Sequence, residues 1–159
     1  MEILISNATL MEKLGVALRK ALKREKLKTI IVFLKGDLGA GKTTFVQGFI
    51  QAFGVKDPIT SPTYTLVESY ESAAYMIHHF DLYRLDDPNE LDLIGFRDYF
   101  VDEAFCLIEW PEKGGAVLPS PDLVFEMTHK DEANRNVQVS AASTRGEHVL
   151  KQLEKAPFG

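Results

Sequence analysis

The segment GDLGAGKT, residues 36–43, constrains this chain more than any other feature of its sequence. It follows the spacing G-x-x-x-x-G-K-[ST], which is the pattern of a phosphate-binding P-loop. In such a loop, backbone N–H groups that all point inward hold a phosphate chain, and glycines supply the unusual backbone angles that the turn needs. The segment therefore predicts a site for a nucleoside triphosphate.

Two side chains of this segment have specific roles in the predicted site. Lys42 reaches the β- and γ-phosphates as a compact positive charge, and the hydroxyl of Thr43 faces Mg²⁺. The helix that follows offers its unpaired N–H groups and the positive end of its dipole. The predicted nucleotide-binding residues here are Gly36, Asp37, Leu38, Gly39, Ala40, Gly41, Lys42, Thr43 and Thr44.

The elements around the P-loop predict an α/β fold. Residues 29–35 form a buried strand rich in β-branched side chains, and residues 44–53 form an amphipathic helix that ends at Gly54. An earlier helix is predicted over 9–25, with a T-x-x-E capping box that starts at Thr9. Further strands are predicted at 64–70, 75–81, 105–109, 123–128 and 136–142, and further helices at 89–95 and 145–155. We expect a three-layer P-loop NTPase-like domain with a mixed, partly parallel central sheet and added antiparallel strands.

A P-loop also needs a carboxylate across from Thr43, at the end of a neighbouring strand, to hold Mg²⁺ or its waters. Asp81 closes the predicted strand MIHHFD, and Glu109 closes the apolar strand FCLIE. Spacing does not choose between them, because a strand-end carboxylate can equally face water. We predict Lys42, Asp81 and Glu109 as the catalytic residues, and either carboxylate can position the metal or the attacking water.

Hydroxyl and cationic side chains supply further functional candidates. Ser61, Thr63 and Thr65 come soon after the P-loop helix, where nucleotide-sensing switch loops sit in other P-loop proteins. The alternative for this stretch is an ordinary Ser-Pro turn. The pair Tyr83-Arg84, which follows Asp81, can anchor a phosphate or pair with an acidic residue, and spacing does not decide between the two.

Two histidines and the single tryptophan are ambiguous in the sequence. His78 and His79 are adjacent in a predicted strand, so their side chains face opposite sides of it. They are therefore poor as a joint metal site, and we expect packed or hydrogen-bonded histidines. Composition alone predicts Trp110 as a core residue.

Composition excludes several classes of protein. A chain of 159 residues with 45% hydrophobic content fits one domain with a sizeable core, so we expect a single P-loop domain over residues 1–159 that ends in a helix and tail. The lone Cys106 allows neither an intrachain disulfide nor a Cys-based zinc site, and it fits a cytoplasmic location. The longest apolar runs, of five residues, are far shorter than a membrane span. The net charge of -5 and the lack of a dense basic cluster argue against DNA binding.

Four segments of the chain together resemble the TsaE (YjeE) family, small bacterial P-loop ATPases needed to make threonylcarbamoyladenosine in tRNA. The segments are GDLGAGKTTF from Gly36, TSPTYTLVESY from Thr60, HFDLYRL from His79 and IEWPEK from Ile108. The resemblance covers about residues 5–145. It implies that the chain binds ATP or ADP with Mg²⁺.

The resemblance also assigns roles that spacing did not reveal. It implies that Thr43 and Glu109 are the metal-side residues and that Asp81 is a second essential carboxylate. It makes Trp110 a functional residue, in contrast to the core reading from composition. It also places Thr9 next to the nucleotide.

The resemblance further implies protein partners, TsaB and TsaD, the latter being the transferase that modifies the adenosine next to the anticodon. The tRNA would then be reached indirectly, through the complex. We expect a weak Mg²⁺-dependent ATPase that its partners stimulate, because no arginine finger can be identified and Arg84 and Arg135 are only candidates. The alternatives are a nucleotide-sensing assembly factor without required hydrolysis and a small-molecule kinase, which the lack of an arginine-rich lid disfavours. A GTPase is disfavoured because no N-K-x-D segment occurs.

Overall fold

The computed structural model describes residues 1–62, 64–73, 75–100 and 103–157 and contains one seven-stranded sheet with helices around it. The strands are β1 (Glu2–Ile5), β2 (Ile30–Gly36), β3 (Val67–Ser72), β4 (Tyr75–Asp81), β5 (Phe105–Glu109), β6 (Leu123–His129) and β7 (Arg135–Ala141). The α-helices are α1 (Ala8–Arg24), α2 (Lys42–Gln51), α3 (Glu90–Leu93) and α4 (Thr144–Glu154). Short 3₁₀ helices span Phe96–Phe100, Pro111–Lys113 and Gly115–Val117.

The sheet is mixed, as the sequence predicted. Its strand order is β1-β7-β6-β2-β5-β4-β3. The central strand β2 pairs in parallel with β5 and β6, and β4 pairs in parallel with β5. The remaining pairs, β1–β7, β6–β7 and β3–β4, are antiparallel. Because β2, β4 and β5 run in the same direction, their carboxyl ends meet at one edge of the sheet, where ligands bind in open α/β folds.

The two faces of the sheet bury separate apolar clusters, which gives the three predicted layers. Alternate side chains of β2, such as Ile30 and Val32, pack with α1, α2 and α4 in the larger cluster. The side chains between them, Ile31 and Phe33, pack instead against the smaller cluster, whose buried members are Phe80, Leu82, Leu85, Leu91, Phe96 and Ile108. The alternation follows from the strand geometry, in which successive side chains point to opposite faces.

The start of α1 differs from the prediction. The N-cap is Asn7, whose side-chain oxygen accepts a hydrogen bond from the Leu10 N–H at 2.9 Å. The predicted capping box at Thr9 is therefore wrong, and Thr9 is an exposed residue of the first helical turn. Asparagine caps a helix at least as well as threonine, and it stands two residues earlier in the chain.

Other element boundaries shift by a few residues. The strand predicted at 64–70 is β3, which begins only at Val67, because Leu66 has a left-handed φ of 66° and its N–H closes a turn onto the carbonyl of Pro62. The strand β1 was not predicted, since four residues give too short an alternation to recognise. The predicted hairpin and the later antiparallel pair are confirmed as β3–β4 and β6–β7.

Candidate nucleotide-binding site

The P-loop joins the carboxyl end of β2 to the start of α2, at the edge where the parallel strands end. Gly36 and Gly41 have φ angles of 150° and 108°, which side chains rarely adopt. A Cβ atom at Gly36 would lie 2.5 Å from the Met127 carbonyl oxygen, and one at Gly41 would lie 2.8 Å from Cε of Met11. Both backbone angle and space therefore require glycine at these two positions.

Lys42 is buried at the first position of α2, with 5% of its surface exposed. Its Nζ donates to the carbonyl oxygens of Gly36 and Asp37, the second at 3.0 Å. The same Nζ lies 4.2 Å from the centroid of the Trp110 ring. Burial lowers the pKa of Lys42 from its ordinary value, although the nearby Glu109 and Asp81 oppose that shift. The hydrogen bonds of the Lys42 ammonium to the described residues thus go to two neutral carbonyl oxygens.

Thr43 and Glu109 form the contact across the site. The Thr43 hydroxyl donates to the Glu109 carboxylate, with distances of 3.2 and 3.3 Å to its two oxygens. Glu109 is the last residue of β5, pairs in register with Leu34 of β2, and is 2% exposed. The two oxygen-bearing side chains therefore lie together beside the start of α2, and their role as metal-side residues stays a prediction.

Asp81 lies at the end of β4, in register with Glu109. Its carboxylate accepts hydrogen bonds from the Ser61 hydroxyl and from the backbone N–H of Tyr83, the second at 3.0 Å. The structure therefore distinguishes the two carboxylates that spacing left equivalent. Glu109 contacts the P-loop threonine, whereas Asp81 holds the segment that follows α2.

The two histidines face opposite sides of β4, as predicted. His79 Nε2 lies 2.5 Å from Glu109 Oε2 in the protein interior, and His79 is fully buried. His78 Nδ1 lies 2.7 Å from the Ser69 hydroxyl, and its ring packs edge-on against Tyr99. Burial lowers the pKa of His78. Sequence reasoning did not identify His79 as a partner of Glu109, because nothing in the spacing fixes its side-chain contact.

A cavity of about 410 Å³ joins most of the predicted site residues. It is lined by Leu38, Gly39, Ala40, Gly41, Lys42, Thr43, Thr44, Ser61, Asp81, Tyr83, Arg84, Glu109 and Trp110. The predicted Gly36 and Asp37 contribute their carbonyls to Lys42 instead. Tyr83, which the sequence marked only together with Arg84, lines the cavity, and its ring packs 5.0 Å from that of Trp110. Trp110 itself has a left-handed φ of 57°, an uncommon angle for a bulky residue and one that clusters at functional sites.

A second cavity of about 140 Å³ adjoins the other side of the P-loop. It shares Gly39, Ala40, Gly41 and Thr44 with the first and adds Ile5, Asn7, Ala8, Met11, Ala133 and Arg135. Thr9 does not line either cavity, although its helical neighbour Ala8 does. Asn7 could have been recognised in the sequence, because asparagine is a favoured N-cap residue, whereas nothing in the sequence marks Met11 as lining a cavity.

The remaining candidates have separate positions. Arg135 holds the β6–β7 turn against the P-loop, since its Nε and Nη2 each lie 3.3 Å from the Gly39 carbonyl oxygen. Arg84 lies with its guanidinium 4.5 Å from the centroid of the exposed Tyr64 ring. The Thr65 hydroxyl donates to the Val67 carbonyl at 3.2 Å and does not line the cavity. Thr63 lies outside the described residues.

The donor chemistry at this site fits Mg²⁺ held jointly with a nucleotide. Thr43 and Glu109 carry oxygen atoms, the ligands that Mg²⁺ prefers, and the ion usually takes only one or two carboxylates together with substrate phosphates. In the described ranges, no group of three or more His, Cys, Asp or Glu side chains is arranged to hold a metal. The described helices also include none long and apolar enough to cross a membrane.

The buried strand, the glycine turn and the lysine at the first position of α2 define this chain as a P-loop nucleotide-binding protein. The family described as threonylcarbamoyl adenosine biosynthesis protein TsaE matches residues 5–137. Since that match covers most of the chain, the chain belongs to the TsaE family.

Similar proteins agree with this assignment. The tRNA threonylcarbamoyladenosine biosynthesis protein TsaE of Haemophilus influenzae is 49% identical over 129 residues, which is 81% of each chain. The protein of the same name from Bacillus subtilis is 34% identical over 125 residues, 79% of this chain and 78% of the relative. The crystal structure of Bacillus subtilis YdiB superposes with a TM-score of 0.80 over 98% of this chain and 94% of its own, at 24% identity, and so shares the fold.

Proposed function

We propose that this chain binds ATP or ADP with Mg²⁺, hydrolyses ATP slowly, and supports the threonylcarbamoyl modification of the tRNA adenosine next to the anticodon. The observation that carries the proposal is the contact of Glu109 with Thr43 beside the buried Lys42, in one cavity lined by the P-loop. The names of the relatives supply the tRNA pathway. The proposal places the chain in the cytoplasm, where tRNA is modified.

The binding roles follow from the positions of these groups. Backbone N–H groups of the P-loop and the start of α2 surround the phosphates. Lys42 exchanges its carbonyl partners for phosphate oxygens, which are stronger charge-assisted acceptors. Thr43 and Glu109 would hold Mg²⁺, which when bound neutralises charge on the β- and γ-phosphates. Asp81, which also lines the cavity, is the second carboxylate available to orient water.

We expect slow hydrolysis by the chain alone, because no arginine finger can be identified from the sequence and only Arg84 and Arg135 are candidates. Arg84 lines the cavity, whereas the Arg135 guanidinium is occupied with the Gly39 carbonyl, so Arg84 is the better candidate for an arginine finger in this chain. Arg84 lies over the ring of Tyr64, which is 83% exposed. A partner that covers Tyr64 would therefore also act on Arg84. We propose TsaB and TsaD as the partners, with the tRNA reached through them.

The test is reconstitution of tRNA modification from purified TsaB, TsaD and this chain with ATP, Mg²⁺ and the threonylcarbamoyl donor. We expect several rounds of modification per transferase only when this chain and ATP are both present, and little stimulation from Lys42→Ala. Equal modification with and without this chain would refute the role in the pathway. Equal hydrolysis rates with and without the TsaB–TsaD pair would refute stimulation by the partners.

A further inference from the structure

We propose that His79 is a positioning residue that orients the Glu109 carboxylate towards Thr43 and the metal; this inference rests on the proposed function. His79 does not line the nucleotide cavity, and among the described residues its side chain hydrogen-bonds to Glu109, which does. It is fully buried, and its Nε2 lies 2.5 Å from Glu109 Oε2. The mechanism above gives this buried polar side chain no other task.

The position of His79 in the sheet explains how it reaches Glu109. His79 and Asp81 are two residues apart on β4, so their side chains share one face of the sheet. In the β4–β5 pair, Asp81 is opposite Glu109 and His79 is opposite Leu107. The His79 side chain therefore lies one pleat behind the strand ends, on the interior side of Glu109. His79 therefore contacts the Glu109 carboxylate from the protein interior, whereas Thr43 contacts the same carboxylate from α2.

The proposed role requires one direction for the hydrogen bond between them. A carboxylate that serves as a metal ligand can only accept, so in this role Nε2 donates its hydrogen to Glu109 Oε2. The other ring nitrogen, Nδ1, is buried and has no hydrogen-bond partner among the described residues. Burial of an unpartnered ring nitrogen is costly, and a merely structural site would be filled as well by an apolar side chain. The single donated bond is therefore the contribution that this histidine makes.

The hydrogen bond from His79 should restrict rotation of the Glu109 side chain. A glutamate side chain has several rotatable bonds, and its oxygens must be fixed to serve as ligands of a metal with strict octahedral geometry. Residues that hydrogen-bond to metal ligands hold those ligands in place, and the loss of one such residue typically weakens metal affinity ten- to a hundredfold. Removing the His79 donor should therefore weaken the Mg²⁺-dependent part of nucleotide binding and leave the phosphate contacts of the P-loop intact.

Three substitutions at His79 separate orientation from packing. His79→Leu removes the donor and keeps an apolar volume. In His79→Gln the amide nitrogen lies as many bonds from Cβ as Nε2 does, so a donor is kept at the same reach. In His79→Asn the donor is one bond too short. The matched control is His78→Gln, the adjacent residue, whose side chain lies on the opposite face of β4 and contacts Ser69.

The measurement is calorimetric titration of each variant with a non-hydrolysable ATP analogue, once with Mg²⁺ and once with EDTA. We expect His79→Leu and His79→Asn to lose about tenfold or more of affinity with Mg²⁺ and to match wild type in EDTA. His79→Gln should recover most of the loss, and His78→Gln should behave as wild type. In a Glu109→Gln background, His79→Leu should have no further effect.

Three outcomes would overturn the inference: an unchanged Mg²⁺ dependence in His79→Leu, an equal loss with and without Mg²⁺, or failure of His79→Gln to exceed His79→Asn. If His79→Leu does not fold, as judged by thermal unfolding, the Gln and Asn pair carries the comparison. Wild-type protein that binds the analogue no better with Mg²⁺ than with EDTA would instead refute the proposed metal role itself.

Discussion

The Lys42 ammonium lies 4.2 Å from the centroid of the Trp110 ring, and both residues line the same cavity. A cation over the face of a tryptophan is attracted by the electrons of the ring. Trp110 is the only tryptophan of the chain and directly follows Glu109. Composition alone predicted a core residue at this position, and the resemblance to the TsaE family predicted a functional one; the geometry favours the second.

Trp110 should therefore report phosphate binding by fluorescence. When Lys42 moves from the ring to a phosphate, the charge next to the indole changes, and we expect the emission intensity or maximum to shift on addition of ADP. Lys42→Ala should lose that shift. Trp110→Phe should remove the signal and still bind ADP in calorimetry. An emission spectrum that stays constant while calorimetry shows saturation would contradict this account.

Removal of the lysine charge should cost most of the triphosphate affinity. Lys42→Ala removes at least one charge-assisted hydrogen bond, worth about 1.5–3 kcal/mol, so the affinity for ATP should fall tenfold or more in calorimetry. Lys35→Ala is the matched control, because Lys35 lies on β2 just before the P-loop and does not line the cavity. Wild-type affinity in the Lys42 variant would show that the P-loop does not bind phosphate through this side chain.

Glu109 and Thr43 should act as a unit. Each single change, Glu109→Ala or Thr43→Val, should reduce ATP hydrolysis strongly, and the loss in the double variant should be smaller than the two single losses combined, because the two side chains contact each other and, in the proposed function, hold the same ion. Hydrolysis and tRNA modification should be measured on the same preparations. Loss of hydrolysis with modification preserved would indicate that nucleotide binding alone suffices, which is the assembly-factor alternative.

The sequence predicted the P-loop and its flanking strand and helix because their signals are local. The sequence also indicated that Asp81 and Glu109 lie at one edge of the sheet. Each is the last residue of a strand, and the two strands are parallel neighbours in the structure. The sequence could not distinguish their contacts, with Thr43 for Glu109 and with Ser61 for Asp81, because those depend on how α2 and the segment after it pack on the sheet. The cap of α1 was missed for a similar reason, since Asn7 and Thr9 both suit that role locally.

The P-loop helix depends on close contact with α1 at two glycines. A Cβ atom at Gly48 would lie 2.1 Å from the Glu12 carbonyl oxygen, and one at Gly15 would lie 2.3 Å from that of Phe45. Gly48→Ala should therefore force the helices apart and lower the free energy of unfolding by about 1–3 kcal/mol, measured in urea. Gln51→Ala, at an exposed position of α2, should change it by less than about 0.5 kcal/mol. Equal stability of the two variants would show that the helices can separate without cost.

The Cys106 thiol should be inaccessible to alkylating reagents in the native protein, and its ionisation should lower the free energy of unfolding at high pH. Burial in β5 leaves Cys106 2% exposed and raises the pKa of its thiol from 9.0 to about 12. The unfolded chain then releases this proton at lower pH than the folded chain, so the contribution to stability is complete below pH 9 and declines between pH 9 and 12. Alkylation at pH 8 should be slow in buffer and fast in urea, and Cys106→Ala should flatten the decline of unfolding free energy with pH. Rapid native alkylation, or the same decline in Cys106→Ala, would mean that the thiol is not held in the interior and that β5, which positions Glu109, is loosely packed.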